Sequence, residues 1–393
     1  MIVTNLPGAD TFALQSAIGA YTDEAYTNAK KLSGTGIVGD NPMIDPNTET
    51  FVGQLRWFKP LNPTINVASL TAPADGAKTS WASDYLKYVK SVRTYGAERV
   101  NMQQVVAQQD GLAKIARDFA ETRAQDEHNA ILSVLKGVAI AEALNGAANG
   151  SGPAVGLGGQ SFANDPKVYN YGFYVDLGAA QPVIPASATA QGAARAEGFL
   201  NALGMAYKDY EPEYCYLVTS PAIMASLRSA NLVDQDGVVD GNIKFETIFK
   251  GKFRLLLTRA NQSLSTAELA MINTGAGVDI VGTKTSFIVL PGAIAFKPLA
   301  VPDPVEITRN GNAYNGGGVT SIWNRWGYVL APAGYDWTGP DTAFPNDATY
   351  MGVHEGSTFG PLTGVTTIAN ARGNWTRKAA SALSLGILPV FHA

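Results

Sequence analysis

Residues 324–337 read NRWGYVLAPAGYDW, which crowds four aromatic residues, an arginine and a proline into fourteen positions. None of these is a usual nucleophile. Alternation in the overlapping run SIWNRWGYVL (321–330) makes it a β-strand that presents one set of side chains inward and leaves another for neighbours. Trp323, Trp326, Tyr328, Tyr335 and Trp337 can each bury about 150–250 Å². Residues of that size are costly if merely exposed, so the stretch serves packing and contact.

The 393 residues could hold two ordinary domains, or one large domain with insertions. Hydrophobic residues make up 46% of the chain, ample for a packed core. Charged residues are only 16%, against about 25% in ordinary soluble domains. A surface so poor in charge is most economically covered by copies of the same chain. The net charge of −4 argues against a nucleic-acid binder. The one compact basic stretch, around Lys87, Lys90 and Arg93, is flanked by Asp84 and Glu98. Cys215 is the sole cysteine, so neither an intrachain disulfide nor a thiolate zinc cluster can form. The start MIVTNLPGAD lacks the basic and apolar regions of a signal peptide. No apolar run reaches the ~18 residues of a membrane span. The expectation is a soluble protein made in the cytosol.

Along the chain, residues 1–50 are polar and turn-rich, with one short helical stretch near 22–31, and read as an extended arm. Two β-rich runs, 51–58 and 81–95, enclose a middle rich in Pro, Ala, Thr and Gly and predict a long hairpin with a protruding tip. A hairpin alone is marginal in water and needs a neighbour to lie on. A long helix is predicted over 110–144, with Asp110 as N-cap and Leu112, Ile115, Phe119, Ala130, Val134 and Val138 on one face. Its middle, TRAQDEHN (122–129), is polar all round. Such a waist crosses an interface or lies against hydrogen-bonding neighbours. Residues 191–209 are helical again; 214–218 form an apolar strand, and Ser220 caps a helix opened by Pro221. KFRLLLTRA, ELAMINTG and TSFIVLPGAIAF are further strands, and 300–330 is β, interrupted by NGNAYNGGG. The apolar end of WTRKAASALSLGILPVF predicts a docked C-terminus.

Chemistry is hard to find. His128, His354 and His392 stand in no ligand spacing, and Glu127 beside His128 does not share its helical face. His128 is expected to be a hydrogen-bonded interface residue. ANGSG (148–152) lacks the first glycine of a nucleophile elbow, and NGNAYNGGG lacks the Lys-Ser/Thr of a phosphate loop. In DQDGVVDG (234–241), counting back from either glycine gives no calcium-loop ligand set, and two tight turns explain both Asp-Gly pairs. The remaining carboxylates are scattered. No enzyme, cofactor or metal is expected.

RWGYVLAPAGYDW (325–337) resembles the late strand motif of tailed-bacteriophage major capsid proteins with the Hong Kong 97-type fold, an α+β class. Other segments follow in the same order. Residues 1–50 match the N-terminal arm and 51–100 the extended β-hairpin loop. Residues 101–200, with the helix at about 110–144, match the peripheral domain and its long spine helix. YLVTSPAIMASLRSANLVDQDG resembles the axial domain, taken as 201–300, and 301–393 looks like the return to the peripheral domain and the C-terminal segment.

The resemblance implies a subunit that self-assembles through hexamers and pentamers into the icosahedral head of a phage, enclosing double-stranded DNA without gripping it. An acidic balance suits that lining. It implies location in the virion after assembly in the host cytoplasm, and partners in a portal, a scaffold and a decoration protein. Because the chain begins directly at the arm, the scaffold is expected to be a separate protein. Contacts between copies are expected at Trp57, Phe58, Ile65, Val67, Trp81, Arg123, Glu127, Arg325, Trp326, Tyr335 and Trp337. Some relatives weld subunits through a lysine–asparagine bond from the loop. Lys59 and Lys78 lie on this loop, but no acceptor is identifiable, so the clamp is expected to be noncovalent. Two other functions remain open. A bacterial nanocompartment (encapsulin-like) shell of the same fold would hold an enzyme. A glycan-binding or glycan-processing β-protein would place carboxylates beside the aromatics.

Overall fold

A computed structural model describes residues 32–47, 50–58, 83–100, 111–148, 212–229, 232–234, 237–240, 243–258, 284–310, 318–355, 358–360, 372–378 and 386–392. It also describes positions 168–169 and 174–175 and isolated ones within 19–26 and 199–207. The expected strand ELAMINTG, the N-cap Asp110, and Lys59, Ile65, Val67, Lys78 and Trp81 lie outside the described residues. The main elements in chain order are β1 (Val38–Gly39), β2 (Val52–Phe58), β3 (Ser83–Val100), α1 (Gly111–Ala148), β4 (Cys215–Thr219) and α2 (Pro221–Ser229). There follow β5 (Thr247–Ile248), β6 (Phe253–Leu257), β7 (Lys284–Val289), β8 (Ile294–Leu299), β9 (Val305–Asn310) and β10 (Val319–Pro332). The chain closes with β11 (Tyr335–Trp337), α3 (Asp347–Tyr350), β12 (Trp375–Arg377) and β13 (Ile387–His392). Among the described residues helices are few and the strand pairs are mostly antiparallel, an α+β arrangement.

The aromatic stretch of the sequence is the middle of the first sheet. β10 runs antiparallel to β3 from Val319↔Val100 to Leu330↔Val89. On its other side it pairs with β9 through its first half and with β8 through its second. Residues directly opposite in such pairs share a face. Ile322, Asn324, Trp326, Tyr328 and Leu330 therefore face one way, with Val89, Ser91, Arg93 and Tyr95 of β3. Trp323, Arg325 and Val329 face the other.

β2 does not extend this sheet evenly. It pairs with β3 only from Val52↔Val89 to Phe58↔Ser83, where β10 no longer runs alongside. A two-stranded ribbon thus leaves the sheet at Val89. Its root is fixed by a side chain: the Asp336 carboxylate accepts the Lys87 backbone N–H at 2.5 Å, where β10 has turned away. Lys378 lies 3.6 Å from Asp84 and 3.8 Å from Asp336, completing the bracket. Burial pushes the Asp336 carboxyl above its usual range, and the Lys87 N–H and the Lys378 charge pull it back.

The second sheet has the order β13–β7–β4–β6–β5, with β4 and β6 parallel. All five residues of β4 are buried, because both faces are covered. Cys215 and Leu217 pack with Met224 and Leu227 of α2 and with Phe199, Leu203 and Tyr207. Those last three, spaced by four, form one stripe of a helical stretch, as the pattern over 191–209 predicts. Tyr216 and Val218 turn to the other side and join the largest core.

That core unites α1 with both sheets. Ile131, Leu135 and Val138 pack with Trp326, Tyr328 and Leu330 of β10, with Phe287 and Val289 of β7, and with Trp337 and Trp375. The helix is amphipathic only in its first half, where Ala116, Phe119 and Ala120 are buried and Lys114, Arg117 and Glu121 exposed. From Ala130 to Leu135 every residue is buried, since neighbours press on all sides.

The final segment divides between the helix and the second sheet. Residues 372–378 do pack toward α1, with Gly373 against Ala141. The last strand, β13, instead pairs with β7 in the second sheet, from Lys284↔His392 to Val289↔Ile387. The chain end therefore rejoins the 201–300 region. Its pairing partner is set by the open edge of β7, about which the local sequence carries no signal.

Candidate functional site

In an α-helix successive side chains point about 100° apart. Three consecutive residues in the polar waist of α1 therefore point at three different neighbours. The Asp126 carboxylate faces the first sheet, accepting from Trp326 Nε1 at 3.0 Å and the Tyr328 hydroxyl at 3.1 Å. Arg93 of β3 adds an ion pair at 3.4 Å and continues to Asp347 of α3 at 3.1 Å. Glu127 faces the N-terminal segment and is 1% exposed. It accepts from the Tyr26 hydroxyl and, at 3.3 Å, from Arg123 Nε. The Arg123 guanidinium lies 4.0 Å from the Tyr26 ring centroid and 3.4 Å from Asp23. Burial raises the Glu127 carboxyl above its ordinary pKa; the Tyr26 hydroxyl and the Arg123 charge oppose that rise. His128 faces the second sheet, with Nε2 3.2 Å from the hydroxyl of Thr258, which follows β6. The polar waist thus lies against hydrogen-bonding neighbours within the chain.

Four of the expected contact residues turn inward. Glu127, Trp326, Tyr335 and Trp337 are all buried inside the subunit. Trp337 stands edge-on to Trp375, with ring centroids 4.8 Å apart, and donates Nε1 to the Pro340 carbonyl. Arg123 is likewise occupied within the chain. The physical reason is cover: α1 packs on Trp326 and Tyr328 of the first sheet, while Tyr335 and Trp337 of β11 pair with β12 and join the same core. His128 is buried as well and bonds inside the subunit.

The opposite face is different. Trp323 is 41% exposed and lies across Gly96, its partner on β3, where any Cβ would sit 2.7 Å from the ring. Glu306 of β9 is the other cross-strand neighbour of Trp323 and pairs with Arg325. Arg325 also donates to the Asp303 carbonyl at 3.1 Å. Trp57 and Phe58 end β2, at the far tip of the ribbon, and Tyr85 on the facing strand is 54% exposed. The structure therefore separates Arg325 from the buried residues of the expected set, and places Trp57 and Phe58 at the end of β2. Trp323 was legible as a contact candidate: it is three residues from Trp326, and odd spacing in a strand means opposite faces.

Glu306, beside exposed Trp323, is ion-paired with Arg325, and Asp126 and Asp347, near the buried aromatics, are both held by Arg93. No group of three or more His, Cys, Asp or Glu is placed to hold a metal ion among the described residues. Among them, too, no helix is long and apolar enough to cross a membrane.

No protein-family model matches the chain, and no curated protein matches it. Solved structures do. The chain is similar to the capsid of Ralstonia phage GP4, at 12% identity and a TM-score of 0.46, over 79% of this chain and 86% of that one. It is also similar to the cyanophage Pam1 capsid asymmetric unit, at 12% identity and a TM-score of 0.40, over 73% and 82% of the two chains. A structure from Mycobacterium phage Che8 aligns at 10% identity and a TM-score of 0.44, over 75% and 85%. The likeness is to phage capsids.

Proposed function

We propose that this chain is the major capsid protein of a tailed bacteriophage, with the Hong Kong 97-type fold. Copies associate as hexamers and pentamers and close an icosahedral head around double-stranded DNA. The observation that carries this reading is the ribbon of β2 and β3. It runs off the sheet at Val89, is still paired at Phe58↔Ser83, and carries a 24-residue connection beyond, residues 59–82. Its root is seated in a small core of Ile44, Leu55, Leu86, Tyr88 and Val329, but beyond that root a two-stranded ribbon is marginal alone and needs another surface to lie on. Exposed Tyr85 and Trp323 add apolar area on a chain with few charges to keep copies apart.

The role is mechanical. Many modest contacts repeated around a closed shell add as multivalency, so no single interface has to be tight. DNA is held by enclosure, which a net charge of −4 favours over gripping. A separate scaffold, a portal and a decoration protein belong to the same reading, as does a place in the virion. Light scattering across protein concentration and salt tests the self-association. Particles of capsomer mass or larger are expected; a monomer under every condition overturns the proposal.

A further inference from the structure

We infer that residues 126–128 of α1 form a polar junction through which docking of the N-terminal segment is coupled to the packing of both sheets. Four bonds leave one helical turn in three directions: Asp126 to Trp326 and Tyr328, Glu127 to Tyr26, and His128 to Thr258. Tyr26 lies 101 residues from Glu127, and Thr258 lies 130 from His128, so each bond ties together parts remote in sequence.

The coupling follows from burial and stiffness. Glu127 is 1% and His128 6% exposed, so water cannot replace a lost partner for either. A carboxylate buried there depends on the Tyr26 hydroxyl and Arg123 for its compensation. Removing one donor favours a shift of the turn toward solvent. Because the helix backbone moves as a unit, that shift lengthens the bonds at Asp126 and His128. Hydrogen bonds weaken steeply with poor geometry, so the loss is shared by all three neighbours. The N-terminal segment thereby acts on how firmly β6 and β10 are held, although Tyr26 bonds to neither through Glu127. The inference concerns the isolated subunit and holds whether or not that subunit builds shells.

Hydrogen exchange on the full chain tests it with conservative variants. Tyr26→Phe keeps the ring over Arg123 and deletes only the hydroxyl. It is expected to speed exchange at least threefold at 253–257 and at 324–328, as well as along α1. Tyr88→Phe removes another buried hydroxyl bond, to the Asp45 carbonyl, and is expected to leave both stretches within twofold. The reciprocal change, Thr258→Val, should loosen the segment around Tyr26 by the same factor, since coupling is symmetric. Exchange confined to 19–35 and α1 in Tyr26→Phe overturns the inference. Equal effects of Tyr26→Phe and Tyr88→Phe on β6 and β10 overturn it as well.

Discussion

Deleting residues 62–80 and rejoining the ends through a short Asn-Gly turn is expected to leave a folded subunit that cannot close shells. Both strands stay paired up to Phe58↔Ser83 without the deleted residues. The ribbon root keeps its bracket of Asp336, Lys87, Lys378 and Asp84. A two-residue Asn-Gly turn matches the twist of paired strands, so β2 and β3 remain zipped. What is lost is most of the connection between the two strands of the ribbon. The deletion removes Ile65 and Val67; if each contributes about 2 kcal/mol when buried at a contact, their loss weakens that contact by roughly a thousandfold. A shell repeats the loss at every subunit. Circular dichroism and a cooperative denaturant transition check the fold; sedimentation checks assembly. Closed shells from the shortened chain contradict this account of the ribbon. So does a ladder of linked subunits from intact shells on a denaturing gel, which would mark a covalent weld in place of packing.

Gly137→Ala is expected to destabilise the subunit by about 2 kcal/mol or more, although alanine is the better helix former. On an open helix the exchange gains about 1 kcal/mol. Here a Cβ would lie 2.1 Å from the Tyr350 carbonyl oxygen and 2.9 Å from Trp375 Cδ1. The first is backbone, and that same oxygen accepts the Trp375 Nε1 bond at 3.1 Å. Neither atom can give way without breaking the packing of α1 on α3 and β12, and overpacking of this kind costs about 1–3 kcal/mol before the lost bond is counted. Gly204 supplies the control. It has helical backbone, and a Cβ there would meet nothing within 4 Å, so Gly204→Ala should stabilise by about 0.5–1 kcal/mol. Denaturant melts of the two variants should move in opposite directions. A neutral or stabilising Gly137→Ala would show that α1 does not press on the C-terminal segment as described.

Much of the fold was legible because its signals are local. The helix expected over 110–144 spans Gly111–Ala148, and the two arms of the hairpin lie where the β-rich runs are. The second arm, β3, outruns its expected end at 95 because β10 pairs with it as far as Val100. The site was harder. Alternation assigns Trp326 and Tyr328 to one face and Trp323 to the other, but it does not say which face is covered. That depends on Asp126, 200 residues from Trp326. The cover turned the most conspicuous aromatics into core and left Trp323 outside. Asp336 stood in the opening stretch as an acid between two large aromatics, and its link to Lys87 needed the hairpin in three dimensions. Gly137 did leave a trace: a glycine inside a strongly helical run marks a close approach of backbone.

The central claim is that this chain builds closed shells from copies of itself. Negative-stain electron microscopy of the purified intact protein, with and without an added scaffold, tests it most directly. The account predicts closed shells of uniform curvature, or rings of capsomer size that close when the scaffold is present. Fields of separate monomers under all conditions, with the protein folded, would contradict it.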